Sequence, residues 1–459
     1  MEHNPDGQAA AVAEAEAMMV DGAPAELPLL PAQTQDTTVM AQPLTDPSET
    51  MMPPMAPMQS ISADEIALYD RQIRLWGVKA QELIRNANIL LIGMKALGNE
   101  IAKNLVLAGI GSLTILDHEN VVDEDLGSQF LVTEEDLGKN RAEAAAVELR
   151  KMNPRVNLNV DQESIMAKMP EYFAAFQIVV ATGQPFEMAS AVNMSCRMFN
   201  VKFYAADVHG LYGYIFSDLI MHQFLVERDI QGNIPTRPGI AETSTRMVMG
   251  VETKKENNKT KEIVTKQEMY CPLLLANSSP LPPEATKSRR SKMRVPPLLS
   301  CLRGLFEFQK QTAGRSPDAG RKEDIALFAK VTNEKHLELQ LPHETLSSAC
   351  LRSFLQNLST EIPPTAAFLG GQVAQDVINV LGQREQPLQN LLLFDGEEFK
   401  APIYSMQPTF DPTLAMSLDD MTADGVPPEA TSNGNGVATN GGAPGTATHN
   451  PQAQPQQQA

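Results

Sequence analysis

Gly93-Met94-Lys95-Ala96-Leu97-Gly98 follows the apolar run Asn88-Ile-Leu-Leu-Ile92 and precedes a helical stripe of Ile101, Leu105 and Ala108. A phosphate-binding loop between strand and helix wants glycine at three places: for the turn, for close approach of backbone to phosphate, and for packing of helix on strand. Gly93 and Gly98 hold the first and third places, while Lys95 stands at the second. A side chain there obstructs the backbone's approach to phosphate, although the lysine ammonium offers an anion a point charge. Asp117 closes the next apolar run, Ser112–Leu116. It stands about 20 residues on, where a ribose-binding acid belongs. These residues alone leave two readings open: a nicotinamide-binding Rossmann domain, and a fold that kept this architecture and lost its ligand.

Other reactive side chains form no constellation. Cys196, Cys271, Cys301 and Cys350 are widely spaced and never form Cys-x-x-Cys, so a structural zinc site and a disulfide framework both lose support and buried free thiols are expected. His118 follows Asp117 and His209 precedes Gly210, yet neither has metal-ligand spacing; both are expected to be structural or solvated, and no metal site is expected.

The elements that must position the loop are read from periodicity. Strand and helix alternate between about Ile61 and Tyr404, which argues an α/β fold with a parallel sheet covered on both faces. Strands are expected at 88–93, 112–117, 156–160, 177–181, 201–205 and 391–396. Helices are expected over 98–109, 138–152, around 188–199, within 297–358, and from Gly370-Gly371. Regularity fails from about Pro235, and the polar run Thr253-Lys-Lys-Glu-Asn-Asn-Lys-Thr-Lys-Glu262 reads as a mobile surface loop. The expected organisation is a pseudo-adenylation domain in two pieces, 61–235 and 364–404. A mostly helical insertion, 236–363, interrupts it, with a mobile loop near 240–295. Disordered tails are expected over 1–60 and 405–459.

Composition supports the tails: residues 1–60 and 417–459 contain no Lys or Arg, and Pro, Gln, Ala, Asn and Gly dominate them. Such segments bury too little apolar area to offset their ordering entropy. Much of the formal charge of −19 therefore belongs to the tails. The core is only mildly acidic, so nucleic acid is not an expected partner. No apolar run reaches the roughly 18 residues of a membrane helix, and acids and proline near the start do not suit a secretory signal. A soluble, intracellular protein with no membrane partner is expected. The basic cluster Lys287-Ser-Arg-Arg-Ser-Lys-Met-Arg294 reads equally as a nuclear import signal or as solvated charge.

Longer words of sequence carry more information than the glycines. Leu68-Tyr-Asp-Arg-Gln-Ile-Arg-Leu-Trp-Gly77, Ile92-Gly-Met-Lys-Ala-Leu-Gly-Asn-Glu-Ile-Ala-Lys-Asn-Leu105, Asp125-Leu-Gly-Ser-Gln-Phe130 and Gly138-Lys-Asn-Arg-Ala-Glu143 occur in that order. With them the chain resembles the activating enzymes of ubiquitin-like proteins, from about Leu68 to Asp218 and again from Ala366 to Gly396. The resemblance implies a Rossmann-like, ThiF-type adenylation fold. Active members adenylate the C-terminal glycine of a ubiquitin-like protein with MgATP and then form a thioester on a cysteine.

Several positions depart from the active pattern. Where the family has Asn-Leu-Asn-Arg-Gln-Phe, this chain has Asp125, Gly127 and Ser128 in place of the two asparagines and the arginine, and Arg141 replaces a lysine. The catalytic-cysteine segment and the paired zinc cysteines are missing as well. The resemblance therefore implies a non-catalytic subunit, inactive alone, whose degenerate pocket around Gly93, Gly98 and Asp117 is expected to bind no cofactor. MgATP is expected in the partner, the catalytic subunit of a heterodimer. Tyr69-Asp70-Arg71-Gln72 is intact, and by the resemblance Arg71, with Arg74 as second choice, reaches the partner's ATP phosphates in trans. Without the resemblance, Arg71 reads as a surface residue paired with an acid.

Within the family the chain looks most like the SUMO branch. Arg74-Leu-Trp-Gly77 and Asp207-Val-His-Gly-Leu-Tyr-Gly-Tyr-Ile-Phe216 carry that likeness. The neddylation branch is one alternative, less similar because its corresponding subunit is longer, with a larger insertion; a nucleotide-binding Rossmann regulatory module without chemistry is the other. SUMO is expected to be engaged through the complex. The nucleus is the expected compartment and the cytoplasm the second.

Overall fold

The computed structural model describes residues 61–229, 236–256 and 259–408. The expected tails, 1–60 and the residues after 408, lie outside them. The strands among the described residues are β1 Asn88–Ile92, β2 Ser112–Leu116, β3 Asn157–Asp161, β4 Ile178–Thr182, β5 Lys202–His209, β6 Tyr212–Asp218, β7 Met221–Asp229, β8 Arg246–Glu256, β9 Lys259–Met269, β10 Leu391–Asp395 and β11 Ile403–Tyr404. The helices are α1 Ala63–Leu68, α2 Asp70–Trp76, α3 Val78–Arg85, α4 Ala96–Ala108, α5 Arg141–Met152, α6 Pro170–Phe173, α7 Phe186–Met198, α8 Leu273–Ser278, α9 Pro283–Thr286, α10 Arg289–Lys292, α11 Leu298–Gln311, α12 Lys322–Glu338, α13 Ser348–Asn357 and α14 Pro363–Gly382.

Eight strands make the main sheet in the order β11-β10-β6-β5-β4-β1-β2-β3. β3, β2, β1, β4 and β5 run parallel, as crossover helices require. β6, β10 and β11 extend that edge antiparallel. Because side chains alternate across a strand, each central strand feeds two cores. Ile89 and Leu91 of β1, with Ile178 and Val180 of β4, pack with α3, α4, α5 and α14. Leu90 and Ile92, with Val179 and Ala181, pack with α7, α8, α11, α12 and α13. Strands buried on both faces must read as near-continuous apolar runs, which is why β1 and β4 are legible in the sequence.

The structure departs from the expected organisation in three places. The helices expected in an insertion over 236–363 cover part of one face of the main sheet, beside α7: Leu298, Leu299, Leu302, Leu305 and Phe308 of α11 share a core with Phe186 and Val192 of α7 and with Phe203, Tyr214 and Phe216 of the sheet. The polar run from Thr253 to Glu262, expected as a loop, supplies paired strand residues instead. Thr253 faces Glu262 and Lys254 faces Lys261 in a β8–β9 hairpin, and β7 completes a three-stranded antiparallel sheet. A sheet with one wet face accepts Lys, Glu and Thr on that face while Phe224, Val248 and Val264 are buried on the other. The chain end is also shorter than read: Met406, assigned to a tail from 405, is fully buried. Its N–H donates to Asn390 Oδ1 at 2.9 Å and its carbonyl accepts from Asn390 Nδ2 at 2.9 Å.

Candidate functional site

The turn from β1 into α4 has the shape a phosphate loop requires. Gly93 adopts φ +86°, and a Cβ there would lie 2.5 Å from the Thr182 carbonyl oxygen. At Gly98 a Cβ would come within 2.3 Å of the Gly93 carbonyl oxygen, so the start of α4 lies directly on the turn. At both positions the backbone leaves no room for a side chain. Lys95 is the N-cap residue of α4, in extended conformation and without a side-chain cap bond.

The capping role passes to a distant residue. The Ala96 N–H donates to Glu361 Oε2 at 3.2 Å, and Ser128 Oγ donates to the same oxygen at 3.3 Å. A carboxylate at a helix N-terminus satisfies an orphan amide and complements the helix dipole, as a bound phosphate would. Burial raises the Glu361 pKa, against the opposing pull of the Ala96 amide and the Lys95 charge. Glu361 precedes α14, and neither spacing nor periodicity singles it out.

The acid that would hold a ribose is occupied too. Asp117 Oδ2 accepts from the Met94 N–H at 2.8 Å and from Arg141 Nη1 at 3.2 Å; Oδ1 accepts from the Glu119 N–H at 2.9 Å. Arg141, only 3% exposed, also pairs with Asp125 at 3.1 Å and Glu119 at 2.8 Å. Burial works against its charge, but Glu119, Asp117 and Asp125 outweigh this and raise its pKa above the ordinary guanidinium value. Arg141, which stands at a family lysine position, is thus turned into an internal ion cluster. At this loop an internal carboxylate stands at the helix start, Lys95 stands at the middle-glycine position, and Arg141 engages the acid that follows β2.

Arg71 and Arg74 belong to another surface. They lie on α2, a helix with no buried residue. Tyr69 anchors its start: Asn153 Nδ2 donates to the buried Tyr69 hydroxyl at 2.8 Å, and Gln72 Nε2 donates to the Leu107 carbonyl at 3.2 Å. Arg74 pairs with Asp70 at 2.9 Å, one helical turn away. Surface pairing, one of the two readings of Arg71, is thus found at Arg74. The Arg71 side chain is exposed and makes no hydrogen bond or ion pair among the described residues. Among the described residues no hydrogen bond or ion pair joins either arginine side chain to the Gly93 loop.

The histidines fall outside this site's chemistry. His118 is exposed, whereas His209 is buried, edge-on to Phe354 at 5.7 Å and 3.8 Å from Asp207. Among the described residues no cluster of His, Cys, Asp and Glu could hold a metal ion, and no helix is long and apolar enough to cross a membrane.

The pattern of the ThiF family matches residues 69–413. "DNA damage tolerance protein RHC31" of Saccharomyces cerevisiae is 37% identical over 352 residues, 76% of this chain and 98% of that protein. "SUMO-activating enzyme subunit 1" of Homo sapiens is 35% identical over 339 residues, 73% of this chain and 93% of its own length. The Xenopus laevis protein of the same name is 35% identical over 340 residues, 73% of this chain and 94% of its own. A doubly covered, largely parallel sheet, a glycine turn between β1 and α4, and alignments spanning nearly the whole of these relatives lead to one assignment: the chain belongs to the ThiF family.

Proposed function

We propose that this chain is the non-catalytic subunit of a heterodimeric SUMO-activating enzyme, required for its partner's ATP-dependent adenylation and thioester activation of SUMO. The relatives' names support a place in SUMO activation. The division of labour rests on one observation: the anion position at the start of α4 is filled by Glu361, hydrogen-bonded to Ala96 and Ser128. An internal carboxylate at this helix start repels a transferring phosphoryl group and takes one of the amides that would hold it, so in this reading the reacting MgATP belongs to the partner.

In this reading Arg71 supplies what the partner's pocket lacks. A guanidinium on an exposed helix, free of internal acids among the described residues, can cross an interface and fork onto phosphate oxygens. Arg74, already paired with Asp70, is the second choice. SUMO is engaged through the assembled complex. The exposed basic stretch around α9 and α10 would direct the assembly to the nucleus.

Reconstitution of the chain with its catalytic partner, SUMO and ATP tests the reading through SUMO-dependent pyrophosphate exchange. Arg71→Ala should lower the rate on the order of 10³-fold, the lower range for an arginine supplied in trans. An unchanged rate would remove Arg71 from the mechanism. Exchange catalysed by the isolated chain would overturn the non-catalytic assignment.

A further inference from the structure

Two of the four cysteines meet in space although they are far apart in sequence. Cys301 lies in the first turns of α11, fully buried; Cys350 lies in the first turn of α13 and is partly exposed. Both line one open cavity of about 930 Å³, together with Tyr212, Ser347, Glu397 and Lys400. Cys350 sits where a helix start favours negative charge: Ser347 caps α13, its Oγ accepting from the Cys350 N–H at 3.1 Å.

The remaining cysteines show what an inert thiol looks like in this fold. Cys196 and Cys271 are buried, and burial pushes Cys196 far above the ordinary thiol range and Cys271 up to about 12. Cys350 goes the other way. Its neighbour Cys301 holds it below the ordinary value, against burial and the nearby acids Asp395 and Glu397, while Cys301 itself is driven up. An accessible sulfur beside a buried protonated partner is the arrangement of an attacking thiol and a resolving thiol.

We propose that Cys350 and Cys301 form a reversible dithiol–disulfide pair, in which a hydroperoxide oxidises Cys350 through the cavity and Cys301 resolves it. The Cys350 thiolate attacks the peroxide, the O–O bond breaks, and the sulfur gains a hydroxyl as the alkoxide or hydroxide leaves and takes a proton. The Cys301 thiol then displaces that hydroxyl as water, and the S–S bond forms. Two thiols and one hydroperoxide give one disulfide, one alcohol or water from the peroxide, and one further water. A cellular thiol reductant reverses the step. The bond ties α13 to α11 and withdraws the accessible thiol from the cavity.

The test uses the full-length chain and no activity assay, so it stands apart from the proposed role in SUMO activation. The reduced protein is exposed briefly to hydrogen peroxide, its free thiols are alkylated under denaturing conditions, and its peptides are mapped by mass spectrometry without reduction. A Cys301–Cys350 cross-linked peptide, abolished by dithiothreitol, is expected while Cys196 and Cys271 remain alkylated. Cys350 should react at least on the order of tenfold faster than those two. Oxidation of Cys350 alone with Cys301 still alkylated, or no preference among the four thiols, overturns the proposal. In Cys301→Ser, Cys350 should stop at the sulfenic acid and be trapped by dimedone; failure to trap it in folded protein overturns the order of attack. Should that variant not fold, the wild-type map decides.

Discussion

Arg141→Ala removes the guanidinium that lies between two buried acids, Asp117 and Asp125, at 3.2 and 3.1 Å. Removing one partner of a buried ion pair costs about 3–5 kcal/mol, mostly through the charge left uncompensated. Here each acid keeps other donors: Asp117 retains the Met94 and Glu119 amides, and Asp125 retains the Val122 amide at 3.0 Å and Gln129 Nε2 at 2.6 Å. The half-exposed Glu119 adds little, because water screens it. The low end of the range applies, about 3 kcal/mol. At ~2 °C per kcal/mol for larger domains, the unfolding midpoint should fall by about 6 °C. Arg141→Lys keeps the charge but loses the fork that reaches both acids, so about half that loss is expected. Thermal unfolding followed by circular dichroism at neutral pH measures both variants. A drop of less than about 1 °C in Arg141→Ala would show that the cluster does not hold this corner of the fold together.

Gly98→Ala places a methyl 2.3 Å from the Gly93 carbonyl oxygen, a backbone atom, and should destabilise by at least the ~1–3 kcal/mol of an overpacked core, read as a lower unfolding midpoint. Asp376 is buried, with Tyr204 Oη and the Leu388 N–H donating to it at 2.7 and 2.9 Å, and burial raises its pKa from 3.8 to about 6. The raised value means the folded state holds a proton more tightly than the unfolded chain; the contribution is present below about pH 4 and lost as pH rises through about 6, on the order of 3 kcal/mol. Asp376→Asn should flatten stability across that window, and an unchanged slope in denaturant titrations at pH 4.5 and 6.5 would refute the assignment. Glu361→Ala strips the acceptor from the Ala96 amide and Ser128, an N-cap loss of about 1 kcal/mol in thermal unfolding. In calorimetry the wild-type chain should give no MgATP binding at low micromolar concentration, and a clear isotherm would contradict a pocket filled from within.

Local patterning carried much of the architecture. β1, β2 and β4 are short apolar runs because both their faces are covered, and that leaves a mark in neighbouring residues. The hairpin of β8 and β9 was hidden for the complementary reason. Its wet face is written in Lys, Glu and Thr, and only pairing between Thr253 and Glu262 and along the adjoining register separates such a strand from a polar loop. Likewise, helices α11 to α13 read as an insertion because their spacing reveals an apolar face but not the sheet it covers.

The site divides along the same line. By itself the sequence determined the glycine turn at Gly93 and Gly98, the side chain at Lys95 and the acid at Asp117, since each is a statement about residues close together on one strand–turn–helix unit. Only the tertiary structure decided what fills that unit. Glu361 reaches the start of α4 from the residue before Ile362, the N-cap of α14, and Arg141 joins Asp117 and Asp125. The meeting of Cys301 with Cys350 is of the same kind. Periodicity and spacing encode the conformation of a segment, whereas the partner of a buried charge, amide or thiol is chosen when distant segments close on one another.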